Sequence, residues 1–139
     1  WIGRGSVLAL AKSRETILAD CRKLQPTIIN GVPYFYDKIM RHLQESGQAD
    51  VPGKLTELLG GRMRVCCSGG AALSNHVAEF FAQRGLLLVQ GYGLTESSPV
   101  ITTCSPTAQP RHQIGEPLRM LLTVLSAAKN CLAAKRRAN

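Results

Sequence analysis

An α/β fold with a mostly parallel sheet flanked by helices is the class this sequence predicts, and three observations predict it. Short apolar or β-branched runs alternate with stretches of helical periodicity along the chain, the order that builds parallel sheets. Gly or Pro stands at most of the passages between them, where a strand or helix must stop. Two glycine-bearing segments, Ser68-Gly69-Gly70-Ala71 and Gly91-Tyr92-Gly93, each follow closely on an apolar run. In a parallel sheet such exits gather beyond the carboxyl ends of the strands, where ligands bind.

Taken in order, Val7 to Ala11 has the length and composition of a buried strand. Ser13 is placed to cap the helix that follows, with Glu15 in its first turn. Ile17, Leu18, Cys21 and Leu24 make the apolar stripe of that helix, and Pro26 stops it. Thr27-Ile28-Ile29 is β-branched throughout and predicts the next strand. Pro33 suits the first turn of a second helix, striped by Tyr36, Ile39, Met40 and Leu43 and ended by Gly47. The looser stretch 48–62 has room for one short helix over Leu55 to Leu59. Met63 to Cys67 predicts a strand running into Ser68-Gly69-Gly70, with Cys66 and Cys67 on opposite faces. Ser74 starts a further helix whose inner face carries Val77, Phe80 and Phe81, and Gly85 closes it. Leu86 to Val89 follows as a strand, Gly91 to Ser98 as a loop and Val100 to Thr103 as a last strand.

The bulk numbers narrow the function classes. With 139 residues, 45% hydrophobic content and a mean hydropathy of −0.01, the chain suits a folded domain or a piece of one. It opens on Trp1 rather than Met and reads as the interior of a longer protein. No stretch of about 18 apolar residues exists, so no transmembrane segment is expected. The formal charge of +8 would suit an acidic partner, but its distribution argues otherwise. Residues 119–139 hold 5 basic side chains and no acid, while the rest has 12 basic against 9 acidic, a net of +3. The body is therefore only mildly basic and no nucleic-acid partner is expected of it. Cys21, Cys66, Cys67, Cys104 and Cys131 lack Cys-x-x-Cys spacing, so they are read as reduced thiols of a cytoplasmic protein rather than zinc ligands. His42, His76 and His112 fall on polar faces or in a loop and are read as solvent-exposed.

Chemistry concentrates in Gln90-Gly91-Tyr92-Gly93-Leu94-Thr95-Glu96. Glycines on either side of Tyr92 let the backbone bend and approach a ligand without a Cβ in the way. Thr95 supplies a hydroxyl donor for a phosphate oxygen, and Glu96 a hard carboxylate of the kind Mg²⁺ takes while bridging to phosphates. On residue types alone two readings stand: a loop for a magnesium nucleotide, or a tight turn with Thr95 and Glu96 facing solvent.

At these residues the chain resembles the adenylate-forming superfamily of acyl-CoA synthetases, peptide-synthetase adenylation domains and luciferases. Tyr92-Gly93-Leu94-Thr95-Glu96 matches the family's aromatic-Gly-x-Thr-Glu motif, and Ser68-Gly69-Gly70-Ala71-Ala72-Leu73 is similar to its Ser-Gly-Gly-Ala segment. Gln25-Pro26-Thr27 with Val32-Pro33, and Ile114-Gly115-Glu116-Pro117-Leu118, supply two more landmarks in the family's order. The resemblance runs over roughly residues 7 to 118. It implies a partial AMP-binding domain over 1–118, a fragment of the large N-terminal domain, followed by an atypical basic tail over 119–139. It further implies ATP and Mg²⁺ as cofactors, coenzyme A as co-substrate, and a carboxylic acid activated first to an acyl-adenylate and then to a thioester. The Thr-Glu-Ser-Ser-Pro-Val context is most like the long-chain fatty acyl-CoA synthetases.

Carried over by motif, Thr95 and Glu96 would be the catalytic pair, with Thr95 on the phosphates and Glu96 on the metal. Gly69, Gly70, Ala71, Gly91, Tyr92, Gly93 and Leu94 would line the ATP or adenylate, Tyr92 lying along the adenine. The family's phosphate loop with its Lys, its ribose-binding Asp and the catalytic Lys of its small domain have no counterpart in these residues, so the chain alone is expected to be inactive. After Leu118 the family's Pro-Gly turn is missing too. The segment around Leu121, Leu122, Leu125, Ala128 and Leu132 reads as a basic amphipathic helix or a non-native end. Two other functions compete: another adenylating enzyme of the superfamily, or a small basic protein that binds nucleic acid or a membrane surface peripherally through the tail.

Overall fold

In the computed structural model, which describes residues 5–94, 101–103 and 116–117, strands and helices alternate around one sheet. Helix α1 (Ile17–Leu24) leads into β1 (Ile28–Gly31), and helices α2 (Pro33–Glu45) and α3 (Lys54–Leu58) carry the chain to β2 (Val65–Ser68). Helix α4 (Asn75–Gln83) then connects to β3 (Leu87–Tyr92), followed by the two-residue strands β4 (Thr102–Thr103) and β5 (Glu116–Pro117). The sheet order is β1-β2-β3-β4-β5, with the first three strands parallel and the last two added antiparallel. The mostly parallel α/β class is thus the one observed.

The parallel part follows from its crossovers. Pro33 opens α2, where its fixed φ and missing N–H cost nothing. Tyr36, Ile39, Met40 and Leu43 all turn inward, as their spacing predicts. From α4, Val77, Ala78, Phe80 and Phe81 face the same core, and Tyr36 meets Phe81 edge to face at 5.6 Å. Both helices therefore lie on one side of the sheet, against Cys66 and Leu88. The guanidinium of Arg84 stacks 3.6 Å over the Phe80 ring, donates to the Ala49 carbonyl and pairs with Asp50 at 2.7 Å. It ties the end of α4 to the connection between α2 and α3.

The opposite side of the sheet is covered less well. Ile28 and Asn30 of β1 are exposed, and Val65, Cys67 and Leu87 are half-buried. Cys66 and Cys67 do point to opposite faces, Cys66 fully buried and Cys67 partly so.

Several expectations need correction. Val7 to Ala11 forms no strand: the run has no ladder partner among the described residues, and Val7 is 94% exposed. A strand-like composition supplies no partner by itself. The first helix starts at Ile17, not at Ser13; the Ser13 hydroxyl accepts the Thr16 N–H and closes a separate turn, leaving Glu15 ahead of the helix. Leu24 faces out, and the helix stops at Gln25, whose φ of +48° is left-handed. Gly91 and Tyr92 are strand rather than loop, because β4 pairs with them. The short strand β5 had no counterpart in the sequence reading. The supposed basic tail, His112, Cys104 and Cys131 lie outside the described residues.

Candidate functional site

The three parallel strands end level with one another. Register places Ile28, Val65 and Leu87 side by side at one end, and Gly31, Ser68 and Gln90 side by side at the other. From that carboxyl edge β1 turns through Val32 into α2, and β2 turns through Gly69 and Gly70 toward α4. Strand β3 alone runs on, through Gly91 and Tyr92.

The exits touch. The Gly69 N–H donates to the Gly31 carbonyl at 3.1 Å. A Cβ added at Gly69 would sit 3.8 Å from the Gly91 carbonyl oxygen, and one at Gly70 would sit 3.9 Å from Val32 Cγ1. Gly70 has φ +81°, a backbone conformation that side chains rarely adopt, so the turn itself requires it. Gly69 has no positive φ and only ordinary contact around its missing Cβ, so the fold would accept Ala there. At Gly91 the space is tighter, with the Thr102 carbonyl oxygen 3.4 Å from where a Cβ would stand. The two glycine segments singled out in the sequence are therefore adjacent in space.

The far end of the β2 exit is also held. The Leu73 N–H donates to Oε1 of Gln90 at 3.1 Å, across 17 residues of sequence, and both residues are buried at 5% exposure. Ser68, across the ladder from Gln90, is 2% exposed, and its hydroxyl has no hydrogen-bond partner among the described residues. Below this edge the Tyr36 hydroxyl lies 2.7 Å from the Cys67 carbonyl and 3.3 Å from that of Ile29, bridging β1 and β2. Burial pushes the Tyr36 hydroxyl well above the usual phenol range and the Cys66 thiol up to about 12.

Beyond the edge, Gly70, Ala71, Tyr92, Gly93 and Leu94 are exposed, with Tyr92 at 45%. The Tyr92 carbonyl accepts the Ile101 N–H at 2.8 Å, so β3 and β4 close a hairpin whose connection contains positions 95 and 96. Thr95 and Glu96 themselves lie outside the described residues. Among the described residues no group of three or more His, Cys, Asp and Glu side chains is placed to hold a metal.

Sequence reasoning found the glycines but missed Gln90 as the tie to Leu73. A signal was present, since Gln90 shares the face of Leu88 two residues earlier, so an apolar strand there turns a carboxamide inward.

The chain is similar to known proteins in sequence and in fold. The family described as "AMP-binding enzyme" matches residues 2–133. Long chain acyl-CoA synthetase 2 of Arabidopsis thaliana is 32% identical over 117 residues, covering 58% of this chain and 18% of that protein. Long-chain-fatty-acid–CoA ligase 2 of Schizosaccharomyces pombe is 28% identical over 141 residues, covering 73% and 20%. Among solved structures, an anthranilate CoA ligase in complex with anthranoyl-AMP superposes with a TM-score of 0.60 at 19% identity, over 80% of this chain and 20% of that one. A long-chain-fatty-acid-CoA ligase from Archaeoglobus fulgidus gives 0.56 at 19% identity, over 76% and 21%. The chain spans about a fifth of the length of these relatives. With a match over nearly its whole length and the fold of those ligases, this chain belongs to the AMP-binding enzyme family, the adenylate-forming superfamily.

Proposed function

We propose that this chain supplies the ATP-facing edge of the adenylation domain in an AMP-forming acid–thiol ligase, and that the acid is a long-chain fatty acid. The meeting of Gly69-Gly70-Ala71 with Gly91-Tyr92-Gly93 at one sheet edge carries the reading. The similarity to the Arabidopsis long chain acyl-CoA synthetase and the Schizosaccharomyces long-chain-fatty-acid–CoA ligase supports the substrate class.

In the proposed reaction a carboxylate oxygen attacks the α-phosphorus of ATP, forming the acyl-adenylate and breaking the α–β phosphoanhydride to release pyrophosphate. The coenzyme A thiol then attacks the acyl carbonyl and AMP leaves. Gly69, Gly70 and Ala71 bring bare backbone against the nucleotide and acyl group, and the exposed Tyr92 ring lies along the adenine, with Leu94 beside it. Thr95 donates its hydroxyl to a phosphate oxygen, and the Glu96 carboxylate would hold Mg²⁺. When bound, that ion offsets charge on the phosphate oxygens. The thiols of Cys21, Cys66 and Cys67 are unpaired, which suits the cytoplasm we assign.

The test is Glu96→Gln in the full-length polypeptide carrying this segment. ATP–pyrophosphate exchange is expected to fall roughly a hundredfold or more, the scale of losing one preorganised charge-stabilising group, with the unfolding midpoint unchanged. Exchange at the unsubstituted rate would refute the role. The 139-residue chain alone is expected to catalyse no exchange.

A further inference from the structure

The four residues 69–72 that join β2 to the approach of α4 form a loop fixed at both ends. At one end the Gly69 N–H is held by the Gly31 carbonyl of β1, and at the other the Leu73 N–H is held by the Gln90 side chain of β3. Between these ties, the N–H groups of Gly70, Ala71 and Ala72 make no hydrogen bond among the described residues, and all three residues are exposed. Gln90 is 5% exposed, so its carboxamide oxygen makes this contact largely away from water.

A side chain buried there merely to fill space would be apolar, like Leu88 two residues earlier on the same face. Nor does the Gln90 oxygen serve its polar partner across the ladder. Ser68 stands across the ladder with a buried hydroxyl that has no partner among the described residues, while Oε1 of Gln90 reaches Leu73. The carboxamide oxygen is committed to the loop.

We propose that Gln90 is a positioning residue: it fixes the height of the 69–72 loop against the end of β3, so that the open N–H groups and the Gly91 backbone stand at a set separation for the nucleotide. This rests on the ATP-edge reading above. Gln90 acts through the loop and its neighbour Gly91.

The experiment is amide hydrogen exchange on the full-length polypeptide carrying this segment, with and without millimolar ATP and Mg²⁺. In the unsubstituted chain the Leu73 amide is protected, and nucleotide slows exchange at Gly70, Ala71 and Ala72. In Gln90→Met, similar in size but without an acceptor oxygen, Leu73 exchanges about five- to tenfold faster, the factor of one net hydrogen bond. The ATP concentration for half-maximal protection of the loop rises by a similar factor, while the Leu88 amide stays protected as the control for folding. Gln90→Glu keeps an oxygen at the same reach and restores Leu73 protection, which a mere packing role would not predict. Unchanged Leu73 exchange in Gln90→Met, or faster exchange with unchanged ATP dependence, would overturn the inference alone. No effect of nucleotide on the loop of the unsubstituted chain would overturn the ATP-edge reading first, and this inference with it.

Discussion

Ser68 ends β2 with a hydroxyl that neither the sheet nor the neighbouring Gln90 satisfies. A buried hydroxyl without a partner costs about 1–3 kcal/mol of desolvation, so removing it relieves the fold. Ser68→Ala is expected to leave stability unchanged or raise it by about 1 kcal/mol, read as an upward shift of the urea midpoint at constant slope. A loss of more than about 1 kcal/mol would show that the hydroxyl has a partner after all, such as an ordered water. The neighbouring glycines answer to different causes. Gly70 is set by its positive φ, whereas Gly69 has room for a Cβ and is free of backbone strain. The fold therefore requires the glycine at position 70 and not at 69.

At the scale of the elements, the two sides of the sheet differ in what they carry. Helices α2 and α4 press on one face through Tyr36 and Phe81, both at 0% exposure, whereas Ile28 on the other face is 54% exposed. Phe81→Ala is expected to cost about 3–5 kcal/mol, because it removes a ring held by aromatic neighbours and leaves a cavity. Ile28→Lys is expected to cost within about 0.5 kcal/mol. Denaturant unfolding of the two variants checks this, and a large loss from Ile28→Lys would mean that a further layer covers that face. The same contrast explains what could be read from sequence. The stripe of α2 was legible because helical period alone sorts Tyr36, Ile39, Met40 and Leu43 inward. Val7 to Ala11 was misread because apolar composition gives strand length but not the strand it must pair with. Gly91 and Tyr92 looked like a turn because glycine marks turns locally, while their pairing with Thr102 and Thr103 is a contact made across the intervening hairpin. Of the site, the glycine exits were visible as residue types; the hydrogen bond from Leu73 to Gln90 depends on strand register and was not.

For the molecule as a whole, the thiols of the sheet tie stability to pH. Burial, together with the neighbouring Cys67 and Cys21 thiols, pushes Cys66 up to about 12 from an ordinary 9.0, and burial also raises Cys67 and Cys21. The sign follows from proton counts. Below pH 9 the folded and unfolded chains both keep these protons. Between 9 and about 12 the unfolded chain releases the Cys66 proton while the folded chain retains it. The unfolded state then binds fewer protons, so stability falls as pH rises, on the order of 1 kcal/mol per pH unit from that thiol. The raised Tyr36 hydroxyl acts in the same direction above the ordinary phenol range. Urea midpoints are therefore expected to hold steady up to about pH 8.5 and then decline through pH 10.5. Cys66→Ala should start from a lower midpoint at pH 8, since it leaves a small void beside Leu88, yet decline less steeply with pH. If both proteins fell with the same slope, the thiol would not be held in a water-poor layer between sheet and helices. The packing of α2 and α4 over β2, on which the level ends of the three parallel strands depend, would then be wrong.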